Sequence, residues 1–179
     1  MILWGRLGGV STAIVGASLL TGCVQFAASA RSLAVAEVES MLPYAESYFG
    51  EVLASFADRD EALAAIRANE TEFRTALLTA KTRDDVLRSD FDRTGVALYA
   101  TGTDGDQLYT EVLVSGRGAT SDWTGQDYEI AYLCVRQLGT PAQPENAAIE
   151  EVTCPENLIT ITFPGPRSKD VSLDEVRSK

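Results

Sequence analysis

Histidine is absent from this chain of 179 residues, which removes imidazole-activated nucleophiles, imidazole metal ligands and a charge switch near neutral pH. Oxygen and sulfur chemistry remain. The sulfur sits at Cys23, Cys134 and Cys154, and the oxygen in 26 Asp and Glu side chains. Two carboxylates can cleave a glycosidic bond when they flank it at about 5 to 9.5 Å, so an acid-rich chain keeps that chemistry open. The acids are too many for any one pair to stand out. Asp104 and Asp106, with Glu111 beyond, are hard oxygen groups of the kind that ligate Ca²⁺. Their spacing does not match the EF-hand loop, and a solvated hairpin tip is the expected reading. No nucleophile elbow, no Ser-Lys pair at the spacing of a catalytic dyad and no phosphate-cradling loop ending in Gly-Lys occurs. Gly116-Arg117-Gly118 lacks the strand-to-helix setting that gives glycine loops their role, and is expected to be a turn. Asn69-Glu70-Thr71 matches the glycosylation sequon but falls on a predicted helix, where it is read as chance. These residues call for no catalytic site, no metal and no cofactor.

The first 22 residues contain one charge, Arg6, and the first acid of the chain is Glu37. From Leu7 to Leu20 the chain is apolar or small over 14 positions, shorter than the roughly 20 residues needed to cross a bilayer. That length suits the apolar region of an export signal behind a short positive start. The run ends in Leu20-Thr21-Gly22-Cys23, which resembles the lipobox of bacterial lipoproteins. The resemblance implies a signal peptide over residues 1–22 that is cleaved after Gly22, and a diacylglyceryl group on the sulfur of Cys23. It implies a protein held by its lipid at the extracytoplasmic face of a bacterial membrane, because two or three acyl chains anchor stably where one holds only marginally. Val24 follows the cysteine in place of the Asp that this family uses for inner-membrane retention. If Cys23 is lipidated, Cys134 and Cys154 are left as an even pair in an oxidising compartment and are expected to form a structural disulfide. Closing a loop of that size is worth about 3 kcal/mol in the chain-entropy account. A redox role is not indicated, since redox pairs usually sit as Cys-X-X-Cys.

The elements that must carry these groups separate by composition. Residues 51–94 contain neither Gly nor Pro, whereas the following seventy are rich in Gly, Thr, Tyr and Val. Apolar residues recur at helical spacing from Val35 through Val38, Leu42, Ala45, Phe49, Val52 and Phe56. The same phase continues through Leu63, Ile66, Phe73, Leu77 and Leu87. Pro43 predicts a kinked first helix, Asp58 with Glu61 a second start leading to a helix over about 59–81, and Thr82 with Asp85 a short third. The face is expected to pack on a sheet, with a partner-helix seam as the alternative. From Gly95 the period becomes two. Strands are predicted at Val96–Thr101, Leu108–Ser115, Tyr128–Leu138, Glu150–Cys154 and Leu158–Phe163, the first two joined by a turn at Asp104-Gly105. The class is therefore α+β: N-terminal amphipathic helices over 30–92, then an antiparallel β-meander of about five strands over 95–163, as one domain spanning 23–163. Residues 164–179 open with Pro164-Gly165-Pro166, alternate in charge and are expected to be a mobile tail, with one capped turn at Ser172 and Glu175 at most.

The formal charge of -11 excludes nucleic acid as a partner on electrostatic grounds. Residues 94–163 carry ten acids against Arg117 and Arg136, beside Tyr99, Tyr109, Trp123, Tyr128 and Tyr132. That combination offers an acidic-aromatic binding face, although alternation puts several of these rings with Ile130 in a core. Three functions compete at this point. The first is a membrane-tethered envelope lipoprotein acting as a non-catalytic binding or accessory module, its partners being the membrane through Cys23 and a protein not specified by the sequence. The second is a carboxylate-based envelope hydrolase acting on a glycan. The third is a structural assembly component, similar in outline to pilin-like folds in its helix-then-sheet order but without an apolar N-terminal spine once cleavage at Cys23 has removed it.

Overall fold

A computed structural model describes residues 28–89, 91–122 and 125–178; the lipobox and Cys23 lie outside them, as does Trp123. The chain runs α1 (Ala30–Ser55), α2 (Arg59–Arg67), α3 (Ala76–Thr79), α4 (Arg83–Arg88), β1 (Gly95–Asp104), β2 (Gln107–Asp122), β3 (Gly125–Thr140), β4 (Gln143–Glu151), α5 (Glu156–Thr162), β5 (Ser168–Asp170) and α6 (Leu173–Arg177). Helix and sheet are mixed, and the sheet has five strands. Strands β1 to β4 form an antiparallel meander, and β5 adds to β3 in parallel. Among the described residues no helix is long and apolar enough to cross a membrane.

Local sequence accounts for the helix ends. Asp58 caps α2 by accepting from the backbone N–H groups of Asp60 and Glu61, at 2.9 and 3.0 Å. Thr82 and Asp85 form a reciprocal capping box at the start of α4. Pro43 sits inside α1 without ending it, on the exposed side where its missing N–H and its ring meet solvent. The helices are one long element and several short ones rather than an amphipathic set. The expected helix over 59–81 stops at Arg67, and Asn69 turns into the left-handed region at φ 59°. Phe73 and Leu77 are buried as the spacing suggested, but Leu87 is half exposed and its neighbour Val86 takes the core position.

Both faces of the sheet are filled. On one, Val38, Leu42, Phe49 and Leu53 of α1 meet Leu98, Val112, Val114 and Leu133. On the other, Leu77, Val86, Phe91, Leu158 and Phe163 meet Ala97, Leu113 and Cys134. The first face needs an unusually close approach of backbone to backbone. Gly116 and Gly118 are not a turn but lie in the middle of β2, facing α1. A Cβ on Gly116 would stand 2.5 Å from the Ala34 carbonyl oxygen, and one on Gly118 would overlap the carbonyl of Ala30. Beyond Ser115 the β1 partner has ended, and the freed backbone N–H of Arg117 donates to the Glu37 carboxylate of α1 at 2.5 Å. Gln137, fully buried, accepts from the Thr110 hydroxyl at 3.1 Å and donates to the Ala45 carbonyl of α1 at 2.9 Å.

Two expectations for the C-terminal part are corrected. Residues 158–163, rich in β-branched side chains and read as a strand, form α5. The outer edge of β3 is already taken by β4 at Val135–Thr140 and by β5 at Ile130–Tyr132. A segment lying on the sheet face has no ladder to join, so its backbone must satisfy itself as a helix, and strand propensity loses. The expected tail 164–179 instead supplies β5 and α6. Val171 and Val176 are 2% and 1% exposed in the core under α1, each worth about 1.5 to 3 kcal/mol when fully buried. Ser172 does cap α6, accepting from the Glu175 N–H at 3.1 Å.

Because neither backbone carbonyl facing the β2 glycines can swing aside, Gly118→Ala is expected to cost about 1 to 3 kcal/mol, toward the upper end of overpacking effects, with Gly116→Ala close behind. Chemical denaturation of the purified variants checks this, and a Gly118→Ala protein as stable as the parent would show that α1 does not lie this close to β2.

Candidate functional site

The pleat that turns Gly116 and Gly118 toward α1 turns Arg117 to the opposite face of the sheet. There it meets Tyr128 of β3, whose ring centroid lies 5.0 Å from its guanidinium carbon. Arg167, just before β5, stands over the same ring at 4.5 Å. Its position is set by its own carbonyl, which accepts from the Ile130 N–H at 2.9 Å. A third cation, Arg93, comes from the loop between α4 and β1. These residues line an open cleft of about 600 Å³ with a partly apolar wall of Phe91, Ile130, Phe163 and Pro164. That size falls in the range of small-molecule sites.

The loop bearing Arg93 is fixed by its own short-range bonds. The Ser89 hydroxyl accepts from the Phe91 N–H at 3.3 Å, and Asp92 accepts from the Thr94 N–H at 3.1 Å. Arg93 itself is left-handed at φ 69°, a conformation that costs a non-glycine residue about 1 kcal/mol or more, and its carbonyl accepts from the Ser115 hydroxyl at 3.2 Å. Asp92 is the only carboxylate among the described lining residues, and it is engaged by Thr94 and, at 3.9 Å, by Arg74. Arg167 reaches the exposed Asp127 at 3.8 Å, a loose and solvated pair worth little. Among the described residues neither Arg93 nor Arg117 is paired with a carboxylate. The cleft is thus a local concentration of positive charge on an acidic protein.

The residues singled out from sequence distribute differently. Cys134, fully buried in β3, and Cys154, just past β4, stand at disulfide distance with Cα atoms 5.2 Å apart. They belong to the core beside the cleft and not to its wall. Asp104 and Asp106 flank the hairpin tip at Gly105, whose φ of 58° fits the glycine. Arg59 of α2 covers that tip, bonding the Gly105 carbonyl and lying 3.5 Å from Asp106. Glu111 is paired with Arg136. Among the described residues no cluster of three or more Cys, Asp or Glu side chains forms a metal site. Of the described members of the aromatic set, Tyr128 alone lines the cleft; Tyr132 stacks on Phe163 at 5.6 Å, and Tyr109 lies under Arg136 at 5.2 Å. Core burial therefore explains part of the set, and at Tyr128 the exposed ring is met by two arginines. One carboxyl elsewhere is displaced: burial raises Asp170 above the ordinary range, helped by the charge of Glu151.

Asp85 anchors α4 beside the cleft. The Thr82 hydroxyl, then the Lys81 and Thr82 backbone N–H groups and Arg88, lower its pKa from 3.8 to about 2. A carboxylate held below its unfolded value stabilises the fold above about pH 4, and this contribution disappears as the pH falls toward 2. The melting temperature of the parent is thus expected to exceed that of Asp85→Asn at pH 6, with the gap closing by pH 2. A second prediction concerns sulfur: thiol titration of unreduced, unfolded protein should find Cys134 and Cys154 unreactive, and reduction should lower stability by about 3 kcal/mol. Compared with protein-family models, curated proteins and solved structures, the chain gives no match in any of the three.

Proposed function

We propose that the protein is a lipid-anchored, non-catalytic binding module of the bacterial cell envelope, tethered through Cys23 at the extracytoplasmic membrane face and taking its ligand in the arginine-lined cleft. The observation that carries this reading is the tetrapeptide Leu20-Thr21-Gly22-Cys23 placed at the very end of an export-type apolar run. The position of the cleft supports it. Helix α1 begins at Ala30, so residues 24–29 give a tether of at most about 20 Å when fully extended. Ala30 packs against Gly118, the neighbour of the cleft residue Arg117, so the cleft sits at the tethered end of the sheet. The cleft has the shape of a binding site and, among its described residues, a single carboxylate, which suits recognition better than acid-base chemistry.

The second reading, a carboxylate hydrolase acting on a glycan, is favoured by one feature, the raised carboxyl of Asp170 close to the charge of Glu151. Neither residue lines the cleft, and a glycosidase needs its two carboxyl groups on either side of a bound bond.

The tether is tested by mass spectrometry of the mature protein and by fractionation. The expected result is an N-terminal Cys23 carrying a diacylglyceryl group in the membrane fraction, with Cys23→Ser left unprocessed or released. A mature, soluble protein with an unmodified Cys23 would refute the proposal.

A further inference from the structure

We infer that the cleft bounded by Arg93, Arg117, Arg167 and Tyr128 binds a phosphate ester, its phosphate held by the guanidiniums and its organic part lying against the apolar wall. This deepens the binding-module reading and rests on it for its place at the membrane.

The argument begins with the guanidinium geometry. Arg117 and Arg167 both stand over one aromatic ring, at 5.0 and 4.5 Å, and line one cleft with Arg93. A guanidinium over a ring is attracted through its flat face, while its N–H groups lie in the guanidinium plane and remain directed outward. Those in-plane donors are the ones that grip phosphate in pairs. The rings and chains of Phe91, Ile130 and Phe163 give the same cleft an apolar side. A bare inorganic ion would leave that side uncovered, so the fitting ligand is an organic phosphate.

The charge of -11 on the whole protein opposes any anion. Distance decides between the two effects. At physiological ionic strength charges more than about 8 Å away are largely screened, whereas three arginines at contact are not. Asp92, the one carboxylate among the described lining residues, is held by Thr94 and Arg74, which lessens its opposition, and Asp127 meets Arg167 only loosely at 3.8 Å. Arg93 and Arg117, with Arg167 beside its loose Asp127 contact, exceed what a single carboxylate ligand requires and match a phosphate carrying up to two charges. A phosphate ester near a membrane has two sources, the headgroup of an anionic lipid in reach of the tether or a free phosphorylated metabolite.

The test uses full-length protein in a neutral detergent, titrated calorimetrically with glycerol phosphate, with dihexanoyl phosphatidylglycerol and with succinate. Saturable binding of a phosphate probe is expected, weakened about tenfold or more by Arg117→Gln and by Arg167→Gln and unchanged by Arg59→Gln at the distant hairpin tip. Arg93→Asn, which suits a left-handed backbone, should weaken it too and serves if the strand variants fail to fold. Binding of glycerol phosphate assigns a free phosphate ester; binding of the short-chain lipid alone assigns a headgroup. No saturable binding of either phosphate probe, succinate bound as tightly, or equal loss in Arg59→Gln would overturn the inference. Because the titration is done in detergent it does not depend on acylation, and Cys23→Ser should bind equally, so failure of the tether and failure of the site are told apart.

Discussion

The contact between α1 and the half of β2 that β1 leaves uncovered constrains everything else in this molecule. Two glycines one residue apart remove the side chains that would hold a helix at its usual distance from a sheet. The helix therefore approaches until carbonyl oxygens of Ala30 and Ala34 occupy the space where Cβ atoms would be. That approach brings Glu37 to the N–H of Arg117, satisfying an edge that β1 no longer covers. It also allows β2 and β3 to continue well past β1 as a two-stranded arm, with α1 as its cover.

The arm is what gives the cleft its walls. Strand alternation means that small residues facing α1 force their neighbours to the other side, so Arg117 and Tyr128 are delivered to one surface by the pleat that delivers the glycines to the other. The arm alone would present them on a flat ribbon. Residues 91–94 and the segment at 163–168 rise on either side and turn the ribbon into a concavity. Both flanking segments are secured from below. The first is secured by Phe91 and the second by Phe163, each buried among the residues around Cys134.

The end of the chain completes the other half of the body. Strand β5 covers the part of β3 that β4 does not reach, and α6 returns to α1, where Arg177 meets Glu46 at 2.7 Å and Glu175 meets Arg31 at 3.3 Å. These exposed pairs contribute at most about 1 kcal/mol each, so the apolar residues Val171, Leu173 and Val176 do more to hold the segment in place. Since β5 also fixes Arg167, the C-terminal residues serve packing and the cleft together.

Where a signal was local and dense, the sequence was a sufficient guide. The caps at Asp58 and Thr82, the alternation of β1 to β3, the Gly105 turn and the change from helical to strand period at Gly95 depend on neighbours within a few residues. The pairing of Cys134 with Cys154 depended on arithmetic and not on distance. What could not be read depended on residues far apart in the chain. Leu158–Phe163 has strand composition, yet the outer edge of β3 was already taken by β4 and β5, and it became a helix. Val171, Leu173 and Val176 are sparse among charges, and nothing nearby shows that a core is waiting for them. The cleft was least legible of all, because Arg93, Arg117 and Arg167 lie in three separate segments and in a sequence whose net charge points the opposite way. Local bonding is encoded by adjacent residues and survives translation into one dimension; convergence of distant side chains is a property of chain topology, and only the packed sheet decides it.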